Sequence, residues 1–426
     1  MVSSPPILRR LPSLSPPPSL LRLPNHQPFW QPLSRLQSTL AAVAAQPNRR
    51  QAPTYGDHLD DVFEILKSKQ IAWTNPGPAQ FDFRSDVVTS PNLAMLRAIM
   101  ETTLLDDVYR EDDTTISLEQ DMAKFTGHEA AMFVLSGTMA NQIALRTHLV
   151  APPHAVLCDA RSHIVHWEAG GLGLSGTMVQ CVAPSNGEYL TLEDIQRKAE
   201  LSDDVHKCPT TVISLENTIS GLIHPLSDIR LISAWSKKNA LKLHLDGARL
   251  WEVVAAGAGS LKDYAECFDS VAIDFSKGLG APMGAVIVGN HPFIARAQRI
   301  RKALGGGMRQ AGVLSGPARA AVDGFFASEA SQGRGAVGEK LRVAHDHARR
   351  VADMWVRKGG RLRRKTQTNL VWLDLDNAGI SPDQFVEIGW MSGVKLGGSR
   401  IVLHYQVSEE ALRRLALAFD MVCSRR

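Results

Sequence analysis

From Glu129 to Leu314 the chain alternates short apolar runs with longer stretches in which apolar residues recur at helical spacing. AAMFVLSGTMANQIALRTHL reads as strand, turn and helix, and AVLCDARSH as strand then loop. TTVISLENT, LKLHLDGARL and SVAIDFSKG each read as a strand that ends in polar residues. Strands alternating with helices predict an α/β fold with a mainly parallel sheet covered by helices. In such sheets chemistry collects at the carboxyl ends of the strands. Here those ends carry Ser136-Gly137-Thr138, Asp159 with His163, Glu216-Asn217, Asp246 with Arg249, and Ser276-Lys277. One polar strand end is ordinary; five together point to one site.

The stretch around Lys277 organises the rest. Val271–Phe275 reads as a buried strand and Gly284–Val288 as a second. Between them lie Ser276, Lys277 and a loop of Gly278, Leu279, Gly280, Ala281 and Pro282. Burial disfavours a charged ammonium, and lysines that bond carbonyl groups are commonly held in such places. A solvated loop lysine is the other reading of this stretch taken alone.

Apolar spacing also predicts helices over His58–Lys69, from Thr89-Ser90-Pro91 through Met100, and over Thr115–Phe125, with the polar stretch Asp106–Thr114 as a loop. Gly-rich Ala303–Gln310 is a sharp break. Beyond it Gly312–Val322 and Gly338–Lys358 read as helices, Leu370–Leu375 and Arg400–Val407 as strands, and Ser408–Met421 as a last helix. The resulting division is a terminal segment 1–50, an arm 51–80, a large α/β domain 81–307 and a small C-terminal α+β domain 308–426.

Composition narrows the classes. Of 426 residues, 44% are apolar and 21% charged, as expected of a packed core. The net charge is +4, and the first fifty residues hold six Arg and no acid, so the remainder is close to neutral. That argues against nucleic acid as partner. The five cysteines form no CxxC pair, no acidic cluster asks for a metal, and no apolar run is long enough to span a membrane. Residues 1–50 are rich in Arg and Ser like an organelle transit peptide, which predicts mitochondrial targeting; their ten prolines oppose a long amphipathic helix, and a disordered tail on a cytoplasmic protein is the alternative.

Three parts together specify pyridoxal phosphate. Asp246 ends an apolar strand, where a carboxylate needs a cation; a protonated pyridine nitrogen is one, Arg249 another. Ser136-Gly137-Thr138 turns into a helix whose free amides suit a phosphate. Lys277, 31 residues after Asp246, is placed to bond an aldehyde.

From Phe83 to about Val422 the chain resembles the low-specificity L-threonine aldolases, pyridoxal-phosphate enzymes of the aminotransferase-like fold. The matching stretches are FRSDVVTSP, DDVYREDDT, SGTMANQIAL, HxxxWEAGG at His163–Gly171, SLENT, HLDGARLWE, SKGLGAPMGAVIVGN, RKALGGGMRQAG and RIVLHYQVS. The resemblance implies that Lys277 bonds the cofactor aldehyde, Asp246 pairs with the ring nitrogen, His163 stacks on the ring, and Gly137 and Thr138 bind phosphate. It further implies that Ser85, Arg249 and Arg400 hold the substrate carboxylate. Lys302 and Arg309 would reach across a subunit boundary in a homodimer or homotetramer. Glu168, close in sequence to His163, is a candidate to orient it, with a surface carboxylate as the other reading. The implied activity is cleavage of Cα–Cβ in β-hydroxy-α-amino acids to glycine and an aldehyde, acetaldehyde from threonine.

Two departures stand out. Many members carry a second histidine where this chain has Ile219, and some fungal relatives act as alanine racemases, which break Cα–H and need no hydroxyl contact. Amino-acid racemase is therefore the alternative. The loop DDVYREDDT has Arg110 where Gly is usual and Asp113 where Pro is common, which predicts a loop set differently near the site.

Overall fold

A computed structural model describes residues 55–326 and 338–424. The segment 1–50, with its predicted targeting role, lies outside the described residues. The described residues begin with helix α1 (Tyr55–Lys67), which starts earlier than the apolar pattern indicates. Helix α2 (Leu93–Met100) starts later than Thr89-Ser90-Pro91, because Asn92 is the residue whose side chain accepts from the Met95 amide. Helix α3 (Asp113–Thr126) takes the last residues of the polar loop into its first turn.

That loop accommodates both of its unusual residues. Arg110 adopts φ +60°, the left-handed region that favours glycine. Its guanidinium pairs with Glu119 at 2.6 Å and Asp107 at 3.6 Å, which offsets the strain. Asp113 is the first residue of α3, where a proline and an acid are both favourable.

Strands β1 (Ala130–Val134), β2 (Ala155–Asp159), β3 (Met178–Val182), β4 (Thr210–Glu216), β5 (Lys242–Gly247), β6 (Ser270–Asp274) and β7 (Ala285–Gly289) form one sheet in the order β1-β7-β6-β5-β4-β2-β3. Only β7 runs against its neighbours, β1 and β6. The fold is therefore α/β with a mainly parallel sheet, as the alternation predicts. Period-two side-chain placement sends each strand into two cores. Phe133, Leu243, Leu245, Val271, Ile273 and Val286 pack below the sheet. Met132, Val134, Ala272 and Ile287 pack on the other face, with Ile143 of helix α4 (Gly137–His148) and Ile294 of helix α5 (His291–Ala303).

Helices α6 (Gly312–Phe326) and α7 (Glu339–Arg357) lead to a smaller layer. There β8 (Leu370–Trp372) pairs antiparallel with β9 (Arg400–Val402), beside helix α8 (Glu409–Cys423). Trp355, Phe385 and Phe419 are buried in its core with Phe83. These strands are shorter than their apolar runs. Asp374 turns the chain after Leu373, its side chain accepting from the Asn377 amide, and His404–Val407 is itself a turn. No described helix is long and apolar enough to cross a membrane.

Candidate active site

Register places two carboxylates side by side at the carboxyl end of the sheet. β4 and β5 run parallel with Glu216 opposite Asp246. Leu243 and Leu245 point into the lower core, so the alternating His244 and Asp246 face α4. Asn141 of α4 donates through Nδ2 to Asp246 Oδ2 at 2.7 Å and to Glu168 Oε1 at 2.9 Å. Gln142 Nε2 donates to Glu168 Oε2 at 2.7 Å. Glu168 in turn accepts from His163 Nδ1 at 2.9 Å. This assigns the proton to Nδ1 and leaves Nε2 as the basic nitrogen. The bond to Glu168 holds the imidazole pKa above its ordinary value. Donor atoms of His163, Glu168 and Asp246 all lie within 4.8 Å of one another.

Glu216 is half-buried at the end of β4, and its Oε2 accepts the His163 amide at 3.0 Å. Burial first, and then the neighbouring Asp246, push its carboxyl up to about 8. At neutral pH it is mostly the neutral acid, so the site carries one fewer negative charge than its carboxylates suggest.

Lys277 follows β6 with its side chain 15% exposed, Nζ 3.4 Å from Asp274 Oδ2. Asp274 Oδ1 accepts from the Ser276 amide at 2.8 Å and from Ser276 Oγ at 2.7 Å. The Lys277 carbonyl accepts from Thr89 Oγ1 at 3.0 Å, so the lysine is held at both ends. Its charge helps lower the Asp86 pKa and slightly opposes the upward shifts of His163 and Glu216. At the start of α4, Ser136 Oγ caps the Met139 amide at 3.2 Å. The Gly137 and Thr138 amides, in the first turn, have no helical acceptor. A Cβ at Gly137 would come within 3.1 Å of Asp274 Oδ2, so glycine keeps this corner open.

Arg249 is bound to Asp86, Nε to Oδ2 at 2.8 Å and Nη2 to Oδ1 at 2.6 Å. Burial alone would raise the Asp86 carboxyl; Arg249, with smaller help from Lys277 and Asn369, outweighs it and holds the group at about 2. The side of Arg249 expected to fork a substrate carboxylate is thus occupied, and Nη1 is what remains. Arg249 still lines a cleft of about 300 Å³ with His163, Glu216, Arg364, Trp372 and Arg400. Arg400 donates to the Arg84 carbonyl at 3.2 Å and has no acidic partner among the described residues; burial lowers its pKa.

Not every expected residue reaches the cleft. Ser85 caps the turn Asp86–Val88, accepting the Val87 amide at 3.4 Å, and is not among the cleft residues. Lys302 and Arg309 are also absent from it, and Arg309 Nη1 donates to Asp106 Oδ2 at 2.9 Å. Lys277, Asp246, Gly137 and Thr138 do not line this cleft either, and join it through the contacts of His163, Glu216 and Arg249. Ile219 is buried, while Thr218, Ser220 and Gly221 beside it line the cleft. Sequence reasoning missed Asp86, Asn141, Gln142 and Asp274 as members of the site. The available signal was polarity on faces that should be apolar: Asn141 and Gln142 sit mid-helix on the buried side of α4, and Asp274 closes a buried strand.

The residues fit pyridoxal phosphate. Asp246 is buried and ion-paired with no cation among the described residues, as an acid awaiting a protonated ring nitrogen would be. The free amides of Gly137 and Thr138 suit the phosphate, and Lys277 stands ready for the aldehyde.

Comparison with known proteins agrees. Residues 82–378 match the family model described as beta-eliminating lyase. Aldolase vrtJ of Penicillium aethiopicum is 52% identical, over 89% of this chain and 94% of its own. Alanine racemase TOXG of Cochliobolus carbonum is 48% identical, over 84% and 92%. A low-specificity L-threonine aldolase of Eremothecium gossypii is 46% identical, over 80% and 87%. In fold, the threonine aldolase of Leishmania major superposes with a TM-score of 0.65 at 20% identity, covering 80% of this chain and 99% of that one. This chain belongs to the beta-eliminating lyase family, alongside the fungal threonine aldolases, and its cofactor is pyridoxal phosphate.

Proposed function

We propose that the protein is an L-threonine/L-allo-threonine aldolase, which cleaves Cα–Cβ to give glycine and acetaldehyde. The observation that carries this reading is the hydrogen bond from His163 Nδ1 to Glu168 at 2.9 Å. It turns Nε2 into a strengthened base within a cleft of amino-acid size. A β-hydroxyl proton needs such a base; loss of a Cα proton needs one too, but Lys277 would already supply it.

Pyridoxal phosphate, when bound, supplies a sink for the electron pair left on Cα. Lys277 would hold it at the aldehyde, Asp246 at the ring nitrogen, and Gly137 and Thr138 at the phosphate. Arg400, with Nη1 of Arg249, would bind the substrate carboxylate and fix which Cα bond faces the ring. His163 Nε2 would take the hydroxyl proton as Cα–Cβ breaks. Lys277 Nζ, 3.4 Å from Asp274, would hand a proton to Cα. Asn141 and Gln142 hold Glu168 in place, so that it cannot turn away from His163. The protein would act as a homo-oligomer, with Lys302 and Arg309 offered to a neighbouring subunit.

A racemase of the same fold is favoured by one observation: Ile219, buried and apolar, stands where a hydroxyl-binding histidine is expected. The alanine racemase TOXG, at 48% identity, adds weight to that second reading. Incubation of the holoenzyme with L-allo-threonine and, separately, with L-alanine decides between them. Acetaldehyde without D-alanine is the expected result; D-alanine without acetaldehyde would sink the aldolase reading.

A further inference from the structure

Four arginines line the cleft, and they are not equivalent. Arg161 is neutralised by Asp159 at 2.7 Å and Arg249 by Asp86 at 2.6 Å. Arg400 and Arg364 have no acidic partner among the described residues. One amino-acid carboxylate accounts for one of the two. The other needs a different anion.

Arg364 is built to hold one. Its guanidinium lies 5.5 Å from the centre of the Trp372 ring. That indole is itself fixed, its Nε1 donating to the Ser220 carbonyl at 2.9 Å. A planar guanidinium stacked on a fixed ring keeps its edge free for a bidentate acceptor. Nη1 of Arg364 is nevertheless buried with nothing to donate to. Thr218 Oγ1, on the same cleft, is also buried and unpartnered. Both burial and the nearby charge of Arg161 disfavour the Arg364 cation, and Asp159 only partly offsets them. Folded chains do not keep a desolvated, unpaired donor beside a like charge without cost. An anionic ligand group removes that cost.

We propose that Arg364 is a second carboxylate site, and that the preferred substrate is a β-hydroxy-α-amino acid with an acidic group on Cβ. This rests on the aldolase reading for its chemistry. The simplest such substrate is 3-hydroxyaspartate. Its Cα–Cβ bond breaks, the β-hydroxyl loses its proton and becomes a carbonyl, and Cα keeps the electron pair and gains a proton. The products are glycine and glyoxylate, with no oxidant or reductant required.

The test uses the holoenzyme and its Arg364→Met and Arg364→Lys variants. First, kcat/KM is measured for 3-hydroxyaspartate and for L-allo-threonine. A charge-assisted fork in a desolvated cleft is worth about tenfold to hundredfold. The unmodified enzyme is expected to favour 3-hydroxyaspartate by at least about tenfold, and Arg364→Met to lose that factor. Arg364→Lys, which keeps the charge without the fork, should fall between. Second, L-aspartate and L-2-aminobutyrate, neither of which can be cleaved, are titrated while the cofactor's visible absorption is followed. Tighter L-aspartate binding by about tenfold, lost in Arg364→Met, supports the site even if neither hydroxy acid is cleaved; only the aldolase reading would then fall. Equal binding of the two, or an unchanged preference in Arg364→Met, overturns the proposal.

Discussion

Asp86 and Arg249, which lines the cleft, meet edge to edge through two hydrogen bonds of 2.8 and 2.6 Å. A third donor, Asn369 Nδ2, reaches Asp86 Oδ2 at 3.1 Å from the smaller layer. The pair therefore fixes an active-site arginine and ties the two layers together. Removing one partner of a buried ion pair strands the other charge and typically costs about 3–5 kcal/mol. Asp86→Ala should lose stability on that scale in urea denaturation, and Asp86→Ala with Arg249→Met should recover part of it. Additive losses would show that the two residues do not act as a pair.

Glu168 should set the titration of His163. Because its hydrogen bond raises the imidazole pKa, Glu168→Gln should lower it, read directly from imidazole nitrogen shifts. The sign for stability follows. The contribution of the charged pair is fully present below the unfolded imidazole value and is lost as pH rises through the folded one. An unmoved His163 titration in Glu168→Gln would detach Glu168 from the base.

Glu216 gives the cofactor-free protein a distinctive pH dependence. The unfolded carboxyl loses its proton near 4.5, while the folded one keeps it up to about 8. Its contribution is complete below the lower value and declines as pH rises through the upper one. Glu216→Gln should remove that decline from a series of thermal melts. Parallel curves for the two proteins would show that Glu216 ionises normally.

Lys277→Ala should leave a protein that binds pyridoxal phosphate only reversibly. Dialysis should strip it, and the visible absorption of the covalently held cofactor should be missing. Retention of that absorption would transfer the role to another amine.

Much of this architecture is legible in the chain because apolar periodicity reports which face a residue occupies. Leu243, Leu245 and Asp246 show a strand delivering a carboxylate, and Val271–Phe275 shows one delivering Lys277. The stretch HLDGAR likewise exposes Arg249, but not that Asp86, 163 positions earlier, occupies its fork. Pairings of that kind depend on how distant segments meet, and local pattern carries no record of them. Asn141 shows the same limit. Its place on α4 follows from helical spacing, yet its bridge between Glu168 and Asp246 exists only once α4 is laid across β5. The start of α2 differs from the apolar pattern for a local reason: Asn92 competes with Thr89 and Ser90 as a cap, and Asn92 is the one aligned with a free amide.

The aldolase and racemase readings differ in which bond to Cα breaks beside Lys277. Proton NMR of the holoenzyme with L-allo-threonine in deuterium oxide reads this in one time course. The aldolase account predicts loss of the Cβ–H and methyl signals of the substrate, with singly deuterated glycine and acetaldehyde appearing together. Loss of the Cα–H signal alone, with the carbon skeleton intact, would contradict it and identify a racemase.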